Sequence, residues 1–533
     1  MTDTTARPTW TTHDVTNQSS AFEDVDLFAL DAWLSEALER EGGGWAVDRA
    51  RETGIVAGSA EAIAHGRRAE RNAPRLVTHD RFGRRADRVD YDSSWHWLLR
   101  GAVERELHAL PWRDPKAGAH VARAACFQLW SQTNAGVMCP VSMTYSAVPA
   151  FRRDPALAAE WEPRLTLPDY ERGSLCGMAM TEKQGGSDVR ANTTQATPSG
   201  DGWWEIVGHK WFCSHPECDV FLVLAQAPAG LSCFVVERGP GMEVQRLKDK
   251  LGTRSLASSE VEFRGAPARL LGEEGRGVAT IIEMVTHTRL DCVIGSAAGM
   301  RRAVFEAAWH ARHRSAFGRR LAEQPAMVNV LADLAIEGEA ATATALRLAR
   351  AYDEGDTALR RFATAVCKYW ICKRATPHAA EALECLGGNG YVEEGPMAVM
   401  LRDAPLNGIW EGSGNVMALD VLRAMGREPE GLAAFLAECE LARGGDARLD
   451  AHLDSLPGTL GALASADDAQ WLARRAVEDL ALAFEAGLLV RHAPDFVSDA
   501  FCAGRLGESR GRVYGTLPRG VDGAAIVARA LPV

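Results

Sequence analysis

The sequence has no stretch of about 18 apolar residues, so no transmembrane helix is expected. Its first residues, Met1-Thr2-Asp3-Thr4-Thr5-Ala6-Arg7-Pro8, lack the apolar core of a secretory signal. Both absences favour the cytoplasm as an expectation. There is no Cys-x-x-Cys pair among the 12 cysteines and no His-Glu-x-x-His, so no metal site is expected. Dispersed cysteine in a large chain reads as reduced thiol. No Gly-x-Gly-x-x-Gly or P-loop follows a strand in the right context. The one Gly-x-Ser-x-Gly match, at 507–511, has no apolar strand before it and reads as chance. A basic surplus is also missing: the net charge is −12. That balance argues against a dedicated nucleic-acid binder.

What is present is an ordinary globular composition, 47% hydrophobic and 24% charged over 533 residues. The length calls for three or four domains. Residues 1–20 read as an extended arm. Apolar residues then recur at helical spacing from about Asp26 to Arg164. Eight arginines between 64 and 90 face Glu70, Asp80, Asp87 and Asp90. They read as a solvated loop with pairable charges, a phosphate-contacting patch being the alternative. Strand-like runs follow at Trp203–Val207, Val220–Ala225, Leu231–Val236 and Val261–Phe263, between Gly- and Pro-bearing turns. Long amphipathic stretches return at Arg301–Arg312, Met327–Tyr352 and Leu359–Leu386, and suit a helix bundle. The domains expected are 1–171 helical, 172–273 β, 274–426 helix bundle, and 427–533 a helical extension.

Five segments carry chemical potential, and each has two readings. Met178-Ala179-Met180-Thr181-Glu182-Lys183-Gln184-Gly185-Gly186-Ser187-Asp188 is either a polar turn or a backbone surface for a flat heterocycle or a phosphate. Gly208-His209-Lys210-Trp211-Phe212-Cys213-Ser214 ends in aromatic rings that either fill a core or stack on a cofactor. His209 and, just beyond it, His215 read as polar turn residues. Arg314-Ser315-Ala316-Phe317-Gly318, with Gln324, offers a pyrophosphate ligand or a helix-terminal arginine. Leu386-Gly387-Gly388-Asn389-Gly390-Tyr391 stops a helix or admits a nucleotide. Ile409-Trp410-Glu411-Gly412-Ser413-Gly414-Asn415 feeds a helix, or holds a carboxylate whose apolar setting tunes it as a base.

In this order and separation the five segments resemble the acyl-CoA dehydrogenase family of flavoproteins over about 90–426. The Met-Thr-Glu-Lys-Gln-Gly-Gly-Ser-Asp, Gly-His-Lys-Trp-Phe and Ile-Trp-Glu-Gly-Ser-Gly-Asn runs look like its AidB-like, alkylation-response branch. The resemblance implies a mainly α fold with a central β domain, a four-helix bundle and a C-terminal helical extension. It implies FAD, contacted by Met178, Met180, Thr181, Ser187, Phe212, Cys213, Ser214, Trp410, Gly412 and Asn415. Arg314, Phe317, Gln324, Gly387 and Gly388 match positions that reach the FAD of a neighbouring subunit, which implies a homo-oligomer, a tetramer of paired dimers. Glu411 matches the base that takes the α proton of an acyl-CoA while flavin N5 accepts a hydride. Some relatives place that base on an earlier helix, where this chain has Thr288, which cannot serve. Two departures alter the flavin environment: Cys213-Ser214 stands for the usual Thr-Asn, and Glu411-Gly412-Ser413 for Glu-Gly-Thr.

Electron-transfer flavoprotein or oxygen is the acceptor this implies. The branch also offers a DNA-associated protection role, and the fold hosts oxidases or monooxygenases on non-CoA substrates. Residues 426–533 hold 11 Lys and Arg against 16 Asp and Glu, a composition that does not favour DNA.

Overall fold

The computed structural model describes residues 14–508 and 511–532. Residues 1–13 of the expected arm, and Ser509 of the chance Gly-x-Ser-x-Gly match, lie outside the described residues. The chain is mainly helical around one central sheet.

The arginine-rich segment is not a loop. It forms the helix Ala60–Arg71, capped by the Ser59 hydroxyl on the Ala62 amide, and then a hairpin of β1 (Arg75–His79) and β2 (Arg85–Asp90). The hairpin escapes a period-2 reading because both of its faces carry charge. Its charges do pair: Arg84 with Asp80, Arg85 with Asp87 and Arg88 with Asp90. Asp80 also accepts from the Phe82 and Arg84 amides, which closes the turn.

The central sheet holds β3 (Cys176–Ala179), β4 (Gln195–Gly200), β5 (Trp203–Ser214), β6 (Val220–Ala227), β7 (Gly230–Glu237), β8 (Met242–Leu247) and β9 (Ser258–Leu271). The order is β3-β6-β4-β5-β9-β7, with β8 on β9. A further β6–β7 pairing closes the strands on themselves. Strand β6 is buried on both faces through its Val-Phe-Leu-Val-Leu-Ala run, with β3, β4 and β7 paired along its edges. Strand β5 alternates more, since it faces water along one side.

Three long helices follow: Gly277–His313, Pro325–Asp353 and Thr357–Cys385. Pro325 starts the second, where its missing N–H costs nothing, and Asp356 caps the third. Gly387, at φ 57°, ends the third by a conformation that glycine adopts freely.

The helices beyond residue 428 dock on this bundle through buried charge. Arg505 pairs with Asp333 and Glu337, and Glu485 accepts from the Trp370 indole at 2.9 Å. Burial holds the Glu485 carboxyl well above its ordinary range. In the last helix, Gly523–Ala530, Arg529 pairs with Glu339 of the bundle and with Glu36 of the first helix, Ala32–Leu38. Arg301 donates to the Ala530 carbonyl at 2.9 Å.

Candidate active site

The loop carrying Glu411 hangs between the helix Met397–Asp403 and the helix Gly414–Arg427. The Trp410 indole donates to Asn407 Oδ1 at 2.8 Å, and Asn407 donates to Ser296 Oγ at 3.1 Å. Two successive residues have positive φ, Glu411 at 57° and Gly412 at 114°. At Gly412 a Cβ would lie 2.7 Å from Met417 Sδ, so glycine is required there.

Three residues of the bundle grip this loop. Thr288 Oγ1 donates to the Glu411 carboxylate at 2.8 Å. Arg289 Nε donates to the Glu411 carbonyl at 2.9 Å and Arg289 Nη1 to Asp420 at 2.8 Å. Lys368 Nζ donates to the Trp410 carbonyl at 2.8 Å and also to the Gly412 carbonyl. Burial raises the Glu411 carboxyl above its usual range, and Thr288, Arg289 and Lys368 partly oppose this. The result is a partly buried carboxylate poised to take a proton.

The β-domain side is built on a pair that reading single segments misses. Glu182 and Lys210, both fully buried as side chains, meet at 2.8 Å. Glu182 also accepts from the Thr193 amide at 2.7 Å, the Thr194 amide at 3.1 Å and Gln184 at 2.6 Å. Lys210 spends its other protons on the Met180 and Leu224 carbonyls. Burial alone would raise the Glu182 carboxyl; the Lys210 ammonium and the two amides override it and bring it down to about 2. The pair pins 178–188 to β5, and the Trp211 amide donates to the Thr181 carbonyl at 2.9 Å.

That pinning places the expected flavin contacts side by side. Met178 is buried and Met180 half-buried, and among the described residues the Thr181 and Ser187 hydroxyls have no hydrogen-bond partner. Phe212 is 54% exposed at the end of β5. Cys213 is fully buried, and its carbonyl accepts from Ser259 Oγ at 2.9 Å. Ser214 hydrogen-bonds the Cys139 thiol, which also feels the Glu411 carboxylate. Cys139 thus stands between the end of β5 and the Glu411 loop. His209 accepts from the Lys183 amide at 3.0 Å. His215 is not a surface turn residue: it is buried against Tyr91 and Trp95, which pushes its pKa down to about 3.

The third group lies apart, on the outside of the bundle. Arg314 donates to the Asn17 carbonyl, the Ser315 amide to Asn17 Oδ1, and Asn389 to Gln18. The segment around Asn17 and Gln18 thus ties the Arg314 turn to Gly387-Gly388. Phe317, at φ 54°, is 98% exposed, and Gln324 donates to the Ala316 carbonyl at 2.9 Å. Among the described residues no group of three or more metal-ligating side chains forms, and no helix is long and apolar enough to cross a membrane.

Comparison with known proteins follows the same layout. The adaptive response protein AidB N-terminal domain matches residues 17–172. The acyl-CoA dehydrogenase middle and C-terminal domains match 177–266 and 275–426. AidB of Escherichia coli (strain K12) is 44% identical over 440 residues, which is 79% of this chain and 81% of that one. The chain belongs to the acyl-CoA dehydrogenase family. Acyl-CoA dehydrogenase family member 11 of Caenorhabditis elegans is 33% identical over 402 residues, 69% of this chain and 65% of the relative. The solved structure of C. elegans ACDH-11 with C11-CoA superposes with a TM-score of 0.86 at 27% identity, covering 96% of this chain and 97% of that one. The Bd2924 apo-form superposes at 0.83 and 27% identity, covering 89% and 99%.

As a member of the acyl-CoA dehydrogenase family the chain is an FAD-dependent oxidoreductase. Its residues fit that cofactor. An exposed phenylalanine ends the sheet beside uncommitted hydroxyls, and among the described residues the Glu411 and Gly412 amides have no acceptor.

Proposed function

We propose that the protein catalyses α,β-dehydrogenation of an acyl-CoA thioester, with Glu411 as the base for the α proton. The observation that carries this reading is the Glu411 carboxyl itself: partly buried, raised in pKa, hydrogen-bonded to Thr288, with its own amide lacking an acceptor among the described residues. An α C–H yields to a carboxylate only when the thioester oxygen is polarised, and a free amide beside the base supplies such polarisation. FAD, when bound, supplies the acceptor for the departing hydride. Thr181, Ser187, Phe212, Trp410 and Asn415 line its place, with Met178, Met180, Cys213, Ser214 and Gly412 behind or beside them. Arg314, Phe317, Gln324, Gly387 and Gly388 serve the FAD of a neighbouring copy in a homo-oligomer, a tetramer of paired dimers, working in the cytoplasm. The nematode relative solved with C11-CoA makes that thioester the first substrate to try.

The test is anaerobic bleaching of the bound flavin by C11-CoA, with the wild type and Glu411→Gln side by side. The wild type bleaches; Glu411→Gln stays yellow while retaining FAD. Bleaching at the wild-type rate by Glu411→Gln overturns the assignment of the base. Failure of shorter and longer acyl-CoAs as well as C11-CoA to bleach the wild type overturns the thioester substrate.

A further inference from the structure

Lys368 is an ammonium in an apolar place. It lies in the run Ala365-Val366-Cys367-Lys368-Tyr369-Trp370-Ile371-Cys372 and is 1% exposed. Among the described residues it makes no salt bridge with a carboxylate. Burying a charge in this way is unfavourable unless hydrogen bonds recover the lost hydration. Its bonds go to two backbone carbonyls of the Glu411 loop, Trp410 and Gly412. Arg289 takes the carbonyl between them, that of Glu411. Three consecutive carbonyls therefore point at two cations on two different helices.

Peptide planarity gives this a consequence. The carbonyl of one residue and the amide of the next point in opposite directions across the shared plane. With the Trp410 and Glu411 carbonyls drawn into the bundle, the Glu411 and Gly412 amides are turned the other way. Neither has an acceptor among the described residues. The price of this arrangement is a left-handed backbone at a non-glycine residue, Glu411, unfavourable by about 1 kcal/mol.

We propose that Lys368 is a positioning residue: with Arg289 it holds the carbonyls of residues 410–412 inward so that the Glu411 and Gly412 amides face the bound thioester oxygen. This rests on the reading of Glu411 and the acyl-CoA given above. The groups facing Glu411 come from four elements. Thr288, Arg289 and Cys292 lie on the helix Gly277–His313, and Cys139 on the helix Met138–Phe151. Lys368 lies on the helix Thr357–Cys385, and Asp420, reached through Arg289, on the helix Gly414–Arg427. Burial keeps both thiols protonated. Lys368 and Arg289 are thus the cations that also favour the ionised carboxylate.

The test uses the FAD-loaded enzyme in a Glu411→Gln background, so that bound C11-CoA does not react. The infrared band of its thioester carbonyl reports polarisation directly. In Glu411→Gln the band lies below its position in water; adding Lys368→Met returns it toward the water value, and Lys368→Arg restores the lowering. In the otherwise wild-type enzyme Lys368→Met lowers kcat about 100-fold, the range for a lost oxyanion donor. KM changes less than threefold, and the acid limb of kcat/KM moves to higher pH. If Lys368→Met loses its flavin, Lys368→Gln is measured in its place. A thioester band that is lowered in Glu411→Gln and unmoved by either Lys368 variant overturns the proposal and leaves the Glu411 reading intact. Failure of C11-CoA and of shorter and longer acyl-CoAs alike to bind Glu411→Gln overturns both.

Discussion

Glu182→Gln removes the acid from a fully buried ion pair while nearly keeping its shape. The magnitude follows from the site. The Glu182 carboxyl is brought from its ordinary 4.5 down to about 2 by Lys210 and the surrounding amides. A shift of that size is worth about 3 kcal/mol of folding stability at neutral pH. Breaking a buried pair by removing one partner typically costs about 3–5 kcal/mol, which agrees. The sign fixes the pH dependence. A depressed folded-state pKa stabilises above the unfolded value and is lost as pH falls through the folded one. The gap between wild type and Glu182→Gln should therefore be full at pH 7 and shrink from about pH 5 downward. Urea unfolding of the FAD-loaded protein at pH 7 and at pH 4.5 measures it. FAD titration of the stripped protein should show weaker binding as well, because the pair anchors the loop that carries Thr181 and Ser187. A variant as stable as wild type at pH 7, or a gap that grows on acidification, refutes the reasoning.

Thr288→Val removes the hydroxyl that favours the ionised Glu411; the acid limb of kcat/KM should move upward in pH and kcat/KM fall about tenfold at pH 7, and an unmoved limb contradicts the role. Asp353 caps the amides of His120 and Val121, yet burial raises its pKa to about 6. A raised carboxyl withdraws stability as pH climbs through about 4 to 6, so Asp353→Asn should gain about 1–2 kcal/mol at pH 8 and nothing at pH 4, as urea unfolding at the two pH values will show. Arg505→Met leaves Asp333 and Glu337 short of a buried cation; a loss of about 3–5 kcal/mol is expected, visible as earlier proteolysis within 429–532 than in the wild type.

Strands β5, β6, β7 and β9 and the long helices were legible because each is decided by its own residues, whereas β3, β4 and β8 were not read as strands. The apolar run of β6 and the Gly387 stop are local facts. The hairpin β1–β2 was not legible, since charged residues fall on both faces among its few apolar ones, Leu76, Val77, Ala86 and Val89. Glu411 was found through a flanking glycine turn and a family resemblance. Its supports were missed because their partners are distant: Lys368 grips residues 42 and 44 positions on, and Arg289 one 122 positions on. A lone lysine inside Ala-Val-Cys-Lys-Tyr-Trp-Ile-Cys was the available signal. Glu182 and Lys210 sat in plain view in two motifs, and their pairing appears only once β5 passes beneath the loop. Thr288 was read merely as a residue unable to act as the base, whereas its hydroxyl bonds the residue that can.

The ties of the last helix bear on how the protein is made. Asp333, Glu337 and Glu339 are buried in the bundle, and although Arg374 pairs with Glu337 early, the cations Arg505 and Arg529 that complete their pairing are translated well over a hundred residues later. At about 5–20 residues per second, the ribosome leaves these carboxylates without those partners for roughly ten seconds or more. Glu36, near the start, waits for Arg529 longest, across 493 positions. The nascent bundle therefore lacks these ties until residues 495–530 have emerged, and that interval is when a chaperone has most to hold.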